Sequence, residues 1–393
     1  MLIFVARKLK WVLFHAGLLC LYLLGRVVCT RAGDPRSVLV MGDVSYTGGT
    51  WVYFVSLVDM LISESFRVSI LMPRRYAGRI LEEFARSHGV RLFVIPDTFA
   101  FVEYLAELWN AWKLRASRVV VSASGPGNHT RTLLWGIPSV QVMHSMAGAG
   151  VPPRARRLIR LFLKPPHRMV GVSRVARDSL CRSFRIPTAN QRLVRTVYNG
   201  VPDRLSQEGR PPVVRDLVVT LGHVAEHKNP STWLLAAEDV LRRARTKPRF
   251  IWAGDGPELS EYQRRVEGRT DIQFVGYRKD GESLLERALV YYQPSLMESF
   301  GLAVAQAMSV GVPCVVSDRG GLPEVVTAGC SGFVCASDDW RSQSQAILNL
   351  LEDGALWTRM SVESRKLYLE RFTDERWRRE ILELLAQPST RTP

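Results

Sequence analysis

The feature that most constrains this chain is a unit that keeps recurring. A short run of β-branched and apolar residues is closed by glycine or aspartate, and a stretch with apolar residues at helical spacing follows. SVLVMGDV (37–44) is the first such run, and TGGTWVYFVSLVDMLISE leads from it into RVSILMP (67–73). Strand, helix and strand at this spacing make a βαβ unit, which requires a parallel sheet covered on both faces. RLFVIP (91–96), SRVVVSA (117–123), SVQVMHS (139–145) and RMVGVS (168–173) read as four further strands.

The pattern then restarts. DLVVTLG (216–222), a helix over about 230–245, PRFIWAGDGP (248–257), DIQFVG (271–276), ALVYYQP (288–294) and VPCVVSD (312–318) form a second series. YNGVPDRLSQEGRPP (198–212) lies between the two and reads as a linker. DERWRREILELLAQ (374–387) is an amphipathic helix. The expected fold class is α/β: two facing Rossmann-like, doubly wound domains, at 31–205 and 206–372. A C-terminal helix (373–393) is expected to pack back toward the N-terminal domain. Ligands of such sheets bind at the carboxyl ends of the strands, here in a central cleft.

Charge is unevenly spread. Residues 1–200 carry 28 Lys and Arg against 10 Asp and Glu, whereas residues 201–393 carry 25 against 27. The first half is therefore built to sit against something negative. It lacks the glycine and aromatic interleaving of single-strand nucleic-acid binders and any zinc-ligand spacing, so nucleic acid is not the expected partner. An anionic membrane surface fits better. ARKLK (6–10) precedes WVLFHAGLLCLYLLG (11–25), 15 apolar-rich residues that as a helix span about 22 Å, short of the roughly 30 Å of a hydrocarbon core. No small-residue cleavage site follows, which disfavours a secretory signal. Residues 1–30 are expected to lie in or dip into the membrane interface, with a true span and a misassigned start codon as alternatives. The location expected is the cytoplasmic face of the cell membrane, peripheral or monotopic. PRARRLIRLFLKPPHR (153–168) is a candidate docking surface, its arginines flanking Leu158, Ile159, Leu161, Phe162 and Leu163, with a solvated helix face as the alternative. The six cysteines form no Cys-x-x-Cys pair and read as reduced.

The chemistry concentrates in ALVYYQPSLMESFGLAVAQAMSVGVPCVVS, which reads strand, loop, helix, strand. The helix is expected to open near Ser299 and Phe300, and Gly311 to sit just past its end. Unpaired N–H groups at about Phe300, Gly301 and Leu302, beside the positive end of the helix dipole, form an anion site. Glu298 beside that anion repels it unless its side chain turns aside to accept hydroxyls, as those of a sugar attached to a phosphate. The plain alternative is a helix N-cap. In GHVAEHKNP (222–230), Lys228 completes a phosphate clamp. GDGP (254–257), FVGYRKD (274–280) and DRGGLPEVV (318–326) follow successive strands.

In order and spacing these motifs resemble the retaining glycosyltransferases of the GT-B fold, family 4. The resemblance covers nearly all of 37–385 and is most specific over 289–335. It implies that Glu298 contacts donor-sugar hydroxyls, and that the backbone N–H groups of Phe300, Gly301 and Leu302 hold the diphosphate. The base is then expected against the backbone at Tyr277. In the first half, TGGT (47–50) places Gly48 and Gly49 on the acceptor side, Gly49 also near the diphosphate, with a βα turn as the alternative. His144 matches a histidine that faces the sugar, the alternative being a strand-end histidine held by ordinary hydrogen bonding. VSRVARDSL (172–180) and YNGVP (198–202) correspond to structural landmarks.

Two positions depart from the pattern. Gln306 stands where a second glutamate usually grips the ribose diol, and His223 where an arginine usually precedes the phosphate-binding lysine. Gln306 is expected to loosen the grip by about 1–2 kcal/mol, and His223 to offer no fixed charge and no bidentate fork. The implied reaction moves a hexosyl group from a nucleotide-diphosphate sugar to a lipid-linked glycan or glycolipid, with retention. No Asp-x-Asp loop and no paired carboxylates occur at that helix, so neither a metal nor any other cofactor is expected. A nucleotide-sugar-binding protein with weakened turnover and a GT-B nucleotide-sugar epimerase remain as alternatives.

Overall fold

The computed structural model describes residues 21–25, 34–43, 48–97, 100–124, 130–146, 151–205 and 215–386. The chain divides into two compact units. One comprises residues 1–171, 177–196 and 381–393, and the other residues 172–176 and 197–380.

The first unit is built on seven parallel strands: β1 (Asp34–Gly42), β2 (Arg67–Pro73), β3 (Arg91–Ile95), β4 (Ala116–Ala123), β5 (Ser139–Met143), β6 (Arg168–Gly171) and β7 (Val194–Thr196). Their order is β3-β2-β1-β4-β5-β6-β7. The central strand β1 reads as an unbroken apolar run because both its faces are covered, and Val38 to Met41 are fully buried. Arg118 on β4 donates through Nε to the Leu385 carbonyl at 2.6 Å, tying the end of the Asp374–Ala386 helix into this unit.

The second unit holds six parallel strands: β8 (Leu217–Leu221), β9 (Arg249–Ala253), β10 (Ile272–Gly276), β11 (Ala288–Gln293), β12 (Cys314–Ser317) and β13 (Gly332–Cys335), in the order β10-β9-β8-β11-β12-β13. Trp233, Phe250, Trp252 and Phe274 pack edge-on or stacked at centroid distances of 5.1–5.7 Å to make one face of its core. The edge strands β7 and β13 were not expected from the sequence. VRT carries an arginine at its centre and GFVC is mostly only half-buried, so neither shows the apolar run that marks the other strands.

The expected membrane segment lies mostly outside the described residues. Its described end, Leu21–Gly25, is helical and packs on the core of the first unit. There Tyr104 donates its hydroxyl to the Leu21 carbonyl at 2.8 Å, and the Tyr22 ring lies 5.1 Å from that of Phe162. Among the described residues no helix is long and apolar enough to cross a membrane. Cys181, Cys314, Cys330 and Cys335 are free, and Cys20 and Cys29 lie outside the described residues.

Candidate functional site

In the second sheet, β8 and β11 are neighbours, but the chain continues from β8 toward one edge and from β11 toward the other. Loops leaving such a switch point diverge and open a crevice at the carboxyl ends of the two strands. Here the two loops are pinned together. The His227 carbonyl, after β8, accepts the N–H groups of Leu296 (2.9 Å) and Met297 (3.3 Å), after β11. Asn229 is left-handed (φ 60°) and caps the Pro230–Arg243 helix. Its amide donates to the carbonyls of Pro294 (3.3 Å) and Ser337 (2.9 Å). Lys228 is thereby held from both sides, and its Nζ forms an ion pair with Glu298. The same Glu298 oxygen, Oε2, accepts from Gln293 Nε2 at 2.7 Å.

Glu298 is thus a side chain aimed at a cation, not a helix cap. The helix itself starts later than the sequence suggests, over Leu302–Ser309. Gly301 is the reason: at φ 101° and ψ 58° it is left-handed, so no right-handed turn can include it. A Cβ there would also lie 2.8 Å from Leu322 Cδ2. The first intrahelical bonds run from Val304 and Ala305 to the Gly301 carbonyl, at 3.0 and 3.1 Å. The N–H groups of Leu302 and Ala303 therefore precede the ladder, at the positive end of the dipole. Of the expected trio only Leu302 is helical. Phe300 buries its ring against Tyr198 and Phe372, at 5.9 and 5.6 Å. Gly311, at φ 70°, follows the helix end as expected.

The glycine pair of the DRGGLPEVV stretch lies against this loop. Gly321 N–H donates to the Glu298 carbonyl at 2.9 Å. A Cβ on Gly320 would sit 1.8 Å from that same oxygen, so only glycine allows the approach. Glu324, three residues on, is a hub. Its carboxylate accepts the backbone N–H groups of Arg174 (2.9 Å) and Val175 (2.7 Å) and the Tyr198 hydroxyl (2.9 Å). That explains the VSRVARDSL and YNGVP stretches as structural: they supply the partners of Glu324.

The remaining expected residues divide by unit. Gln306, on the second turn of the helix, is buried, and its Nε2 donates to Glu282 Oε1 at 2.6 Å. Tyr277 exposes its ring, while its N–H is taken by Asp255 Oδ1 at 3.1 Å. His223 follows β8, and burial followed by the nearby Lys228 charge lowers its pKa. His227 is lowered for the same leading reasons. Both rings are therefore neutral near pH 7, and the fixed cation of this loop is Lys228.

In the first unit Gly48 is the N-cap of the Gly49–Ser63 helix at φ 89°, so a glycine turn is required at Gly48 but not at Gly49. His144, at the end of β5, shares its Nε2 with Ser122 Oγ at 2.9 Å and sets its ring 4.4 Å from Tyr53. Burial lowers its pKa to about 4, so the imidazole is neutral. The candidate docking stretch forms a helix over Pro153–Phe162. Leu158, Ile159 and Leu163 face the core, contrary to expectation, because an amphipathic helix on a sheet buries its apolar stripe. Arg154, Arg160 and Lys164 remain exposed, with Leu161 beside them.

Sequence reasoning missed Gln293, His227, Glu282 and the partners of Glu324. A glutamine closing an apolar strand, in ALVYYQP, was the available signal for Gln293.

Residues 203–367 match the model of glycosyl transferases group 1, and residues 47–205 that of Glycosyltransferase Family 4. The chain carries glycosyltransferase group 1 and family 4-like domains. Among curated proteins it is 25% identical over 239 residues to N-acetyl-alpha-D-glucosaminyl L-malate synthase of Bacillus anthracis, covering 58% of this chain and 61% of that protein. It is 28% identical over 141 residues to the UDP-Gal:alpha-D-GlcNAc-diphosphoundecaprenol alpha-1,3-galactosyltransferase of Escherichia coli, covering 35% of this chain and 36% of that one. The matched stretches thus span less than two thirds of either relative. Among solved structures, Anabaena Alr3699/HepE in complex with UDP superimposes with a TM-score of 0.73 at 16% identity, covering 89% of this chain and 99% of that chain. Its fold neighbours place these glycosyltransferase domains in the GT-B fold.

Proposed function

We propose that this chain is a retaining hexosyltransferase that moves a sugar from a nucleotide-diphosphate donor to a lipid-linked glycan or glycolipid, in cell-envelope polysaccharide or glycolipid synthesis. One observation carries the reading: an ammonium and a carboxylate, Lys228 and Glu298, meet beside the start of a helix whose first N–H groups precede its ladder. A cation and helix N–H groups suit a diphosphate. A carboxylate next to them suits the hydroxyls of an attached sugar.

In this reading the C1–O bond to the diphosphate breaks as an acceptor oxygen bonds to C1 on the same face. The acceptor proton passes to a leaving phosphate oxygen, so the anomeric configuration is kept. Lys228 and the N–H groups of Leu302 and Ala303, with backbone at Phe300 and Gly301, stabilise charge growing on the leaving group. Glu298 positions the sugar ring, and neutral His144 is the hydroxyl partner that the first unit offers to a sugar. His223 lines the diphosphate and Tyr277 the base, and Gln306 stands on the ribose side of the helix. Gly48 and Gly49 lie on the acceptor side. No metal or other cofactor is required by this scheme. The names of the Escherichia coli relative and the Anabaena structure support a uridine nucleotide and a polyprenyl-diphosphate acceptor.

The exposed arginines of the Pro153–Phe162 helix and the apolar head support residence on the cytoplasmic membrane face, peripheral or monotopic. The test is transfer from labelled UDP-, GDP- and ADP-sugars into membrane lipid extract. Label in the lipid fraction, lost in Glu298→Ala and α-configured from an α-donor by NMR, supports the proposal. Failure of every donor to label lipid or raise the melting temperature ends it.

A further inference from the structure

Gln306 does not stand alone. Its Nε2 meets Oε1 of Glu282 at 2.6 Å, and the other oxygen of Glu282 forms an ion pair with Arg204. Glu282 lies in the 3-10 segment Gly281–Arg287, which follows the turn bearing Tyr277 and reaches back to the end of β8, where Leu221 Cδ2 comes within 4.0 Å of a Cβ built on Gly281. Its side chain is 36% exposed, while that of Gln306 is buried behind it. An accessible carboxylate is therefore aimed from two sides, by an amide and a guanidinium that both donate to it.

We infer that Glu282 is the diol-binding carboxylate of the nucleotide site and that Gln306 is its positioning partner. This rests on the reading above, in which the diphosphate meets Leu302 and the base meets Tyr277. The group joining them in a nucleotide is a ribose, and Glu282 lies on the segment that leads from Tyr277 to the helix face carrying Gln306. A carboxylate accepts both hydrogens of a vicinal diol with charge-assisted bonds. The amide at 306 is then matched to its neighbour: a glutamate there would set two carboxylates 2.6 Å apart, and one would be forced neutral or away. The charge expected on the helix has moved to the adjacent segment, so the grip on the diol is not loosened.

The test is calorimetric titration of the full chain with UDP and with 2′-deoxy-UDP, for wild type, Glu282→Gln, Gln306→Glu and the double variant Glu282→Gln/Gln306→Glu, each with its melting temperature as a check of folding. The expected result is a preference of tenfold or more for UDP in wild type, reduced to within twofold in Glu282→Gln. Gln306→Glu is expected to weaken UDP at least tenfold, and the double variant to recover most of the preference by returning the carboxylate to the helix. A folded Glu282→Gln that keeps the wild-type preference overturns the inference while leaving the proposed function standing. Wild type is also titrated with GDP and ADP: binding of either in place of UDP moves the comparison to that nucleotide and its 2′-deoxy form, and binding of none removes the function reading and this inference with it.

Discussion

Lys228 and Glu298 lie 70 residues apart in sequence and meet because the strands before them, β8 and β11, are parallel neighbours at the point where the strand order reverses. Both side chains are largely sheltered, at 20% and 16% exposure, so their attraction is screened less than that of a surface pair. A diphosphate drawn to Lys228 competes with Glu298 for the same ammonium. Replacing the carboxylate by an amide removes the competitor but keeps a hydrogen-bonding group. Glu298→Gln is therefore expected to bind UDP as tightly as wild type or tighter, while sugar transfer drops at least tenfold. Lys228→Met is expected to lose UDP affinity by about 1.4–3 kcal/mol, tenfold or more. Calorimetry beside a transfer assay reads both, and equal losses of UDP affinity in the two variants would count against opposed roles.

The Gly320 contact separates close approach from backbone freedom. Gly320 and Gly329 are both left-handed, at φ 59° and 74°, but a Cβ on Gly320 meets the Glu298 carbonyl at 1.8 Å and one on Gly329 meets nothing within 4 Å. Gly329→Ala is expected to cost about 1–2 kcal/mol, the left-handed penalty alone. Gly320→Ala adds a clash with rigid backbone and is expected to cost about 2–4 kcal/mol and to displace Glu298, lowering transfer more than stability explains. Chemical denaturation curves with activity on the folded fraction distinguish the two.

Much of this arrangement was legible in the sequence, for a definite reason. Buried parallel strands are short apolar runs closed by turn residues, so eleven of the thirteen strands could be placed, and with them the loops holding Lys228, Tyr277 and Glu298. The start of the helix was read too early because ESFGL offers acceptable helix residues, and only the backbone shows that Gly301 is left-handed. Glu282 was invisible because its meeting with Gln306 spans 24 residues and depends on where a 3-10 segment packs. His144 was placed at the correct strand end, but its Ser122 partner sits on a neighbouring strand whose register no spacing reveals.

Glu324 offers a test of structure alone. It accepts two backbone N–H groups and a tyrosine hydroxyl while nearly buried, so its charge is satisfied by donors that cannot follow it into an amide. Glu324→Gln turns one acceptor oxygen into a donor facing other donors and is expected to cost about 2–4 kcal/mol. Tyr198→Phe removes one donor and leaves the backbone pair in place, with an expected cost of about 1 kcal/mol. Urea unfolding of the three proteins orders them, and a Tyr198→Phe loss as large as that of Glu324→Gln would make the hydroxyl, not the backbone N–H groups of Arg174 and Val175, the main partner.

His144 titrates at about 4 in the fold because burial disfavours the imidazolium, against about 6.5 in an unfolded chain. Above pH 6.5 the ring is neutral in both states and contributes no pH dependence. As pH falls from 6.5 toward 4 the unfolded chain takes up a proton that the fold refuses, so stability declines across that window. At pH 5 the loss from this ring is about 2 kcal/mol. His223 and His227, also lowered by burial, act in the same direction. His144→Gln keeps a polar partner for Ser122 and removes the titration. Its stability difference between pH 7 and pH 5 is expected to be smaller than that of wild type by about 2 kcal/mol, whatever its stability at pH 7. Urea unfolding at the two pH values measures this directly. An unchanged difference would mean that the ring accepts its proton inside the fold, where Ser122 and Tyr53 are packed against it, and would remove the neutral imidazole from its proposed role as a hydroxyl partner.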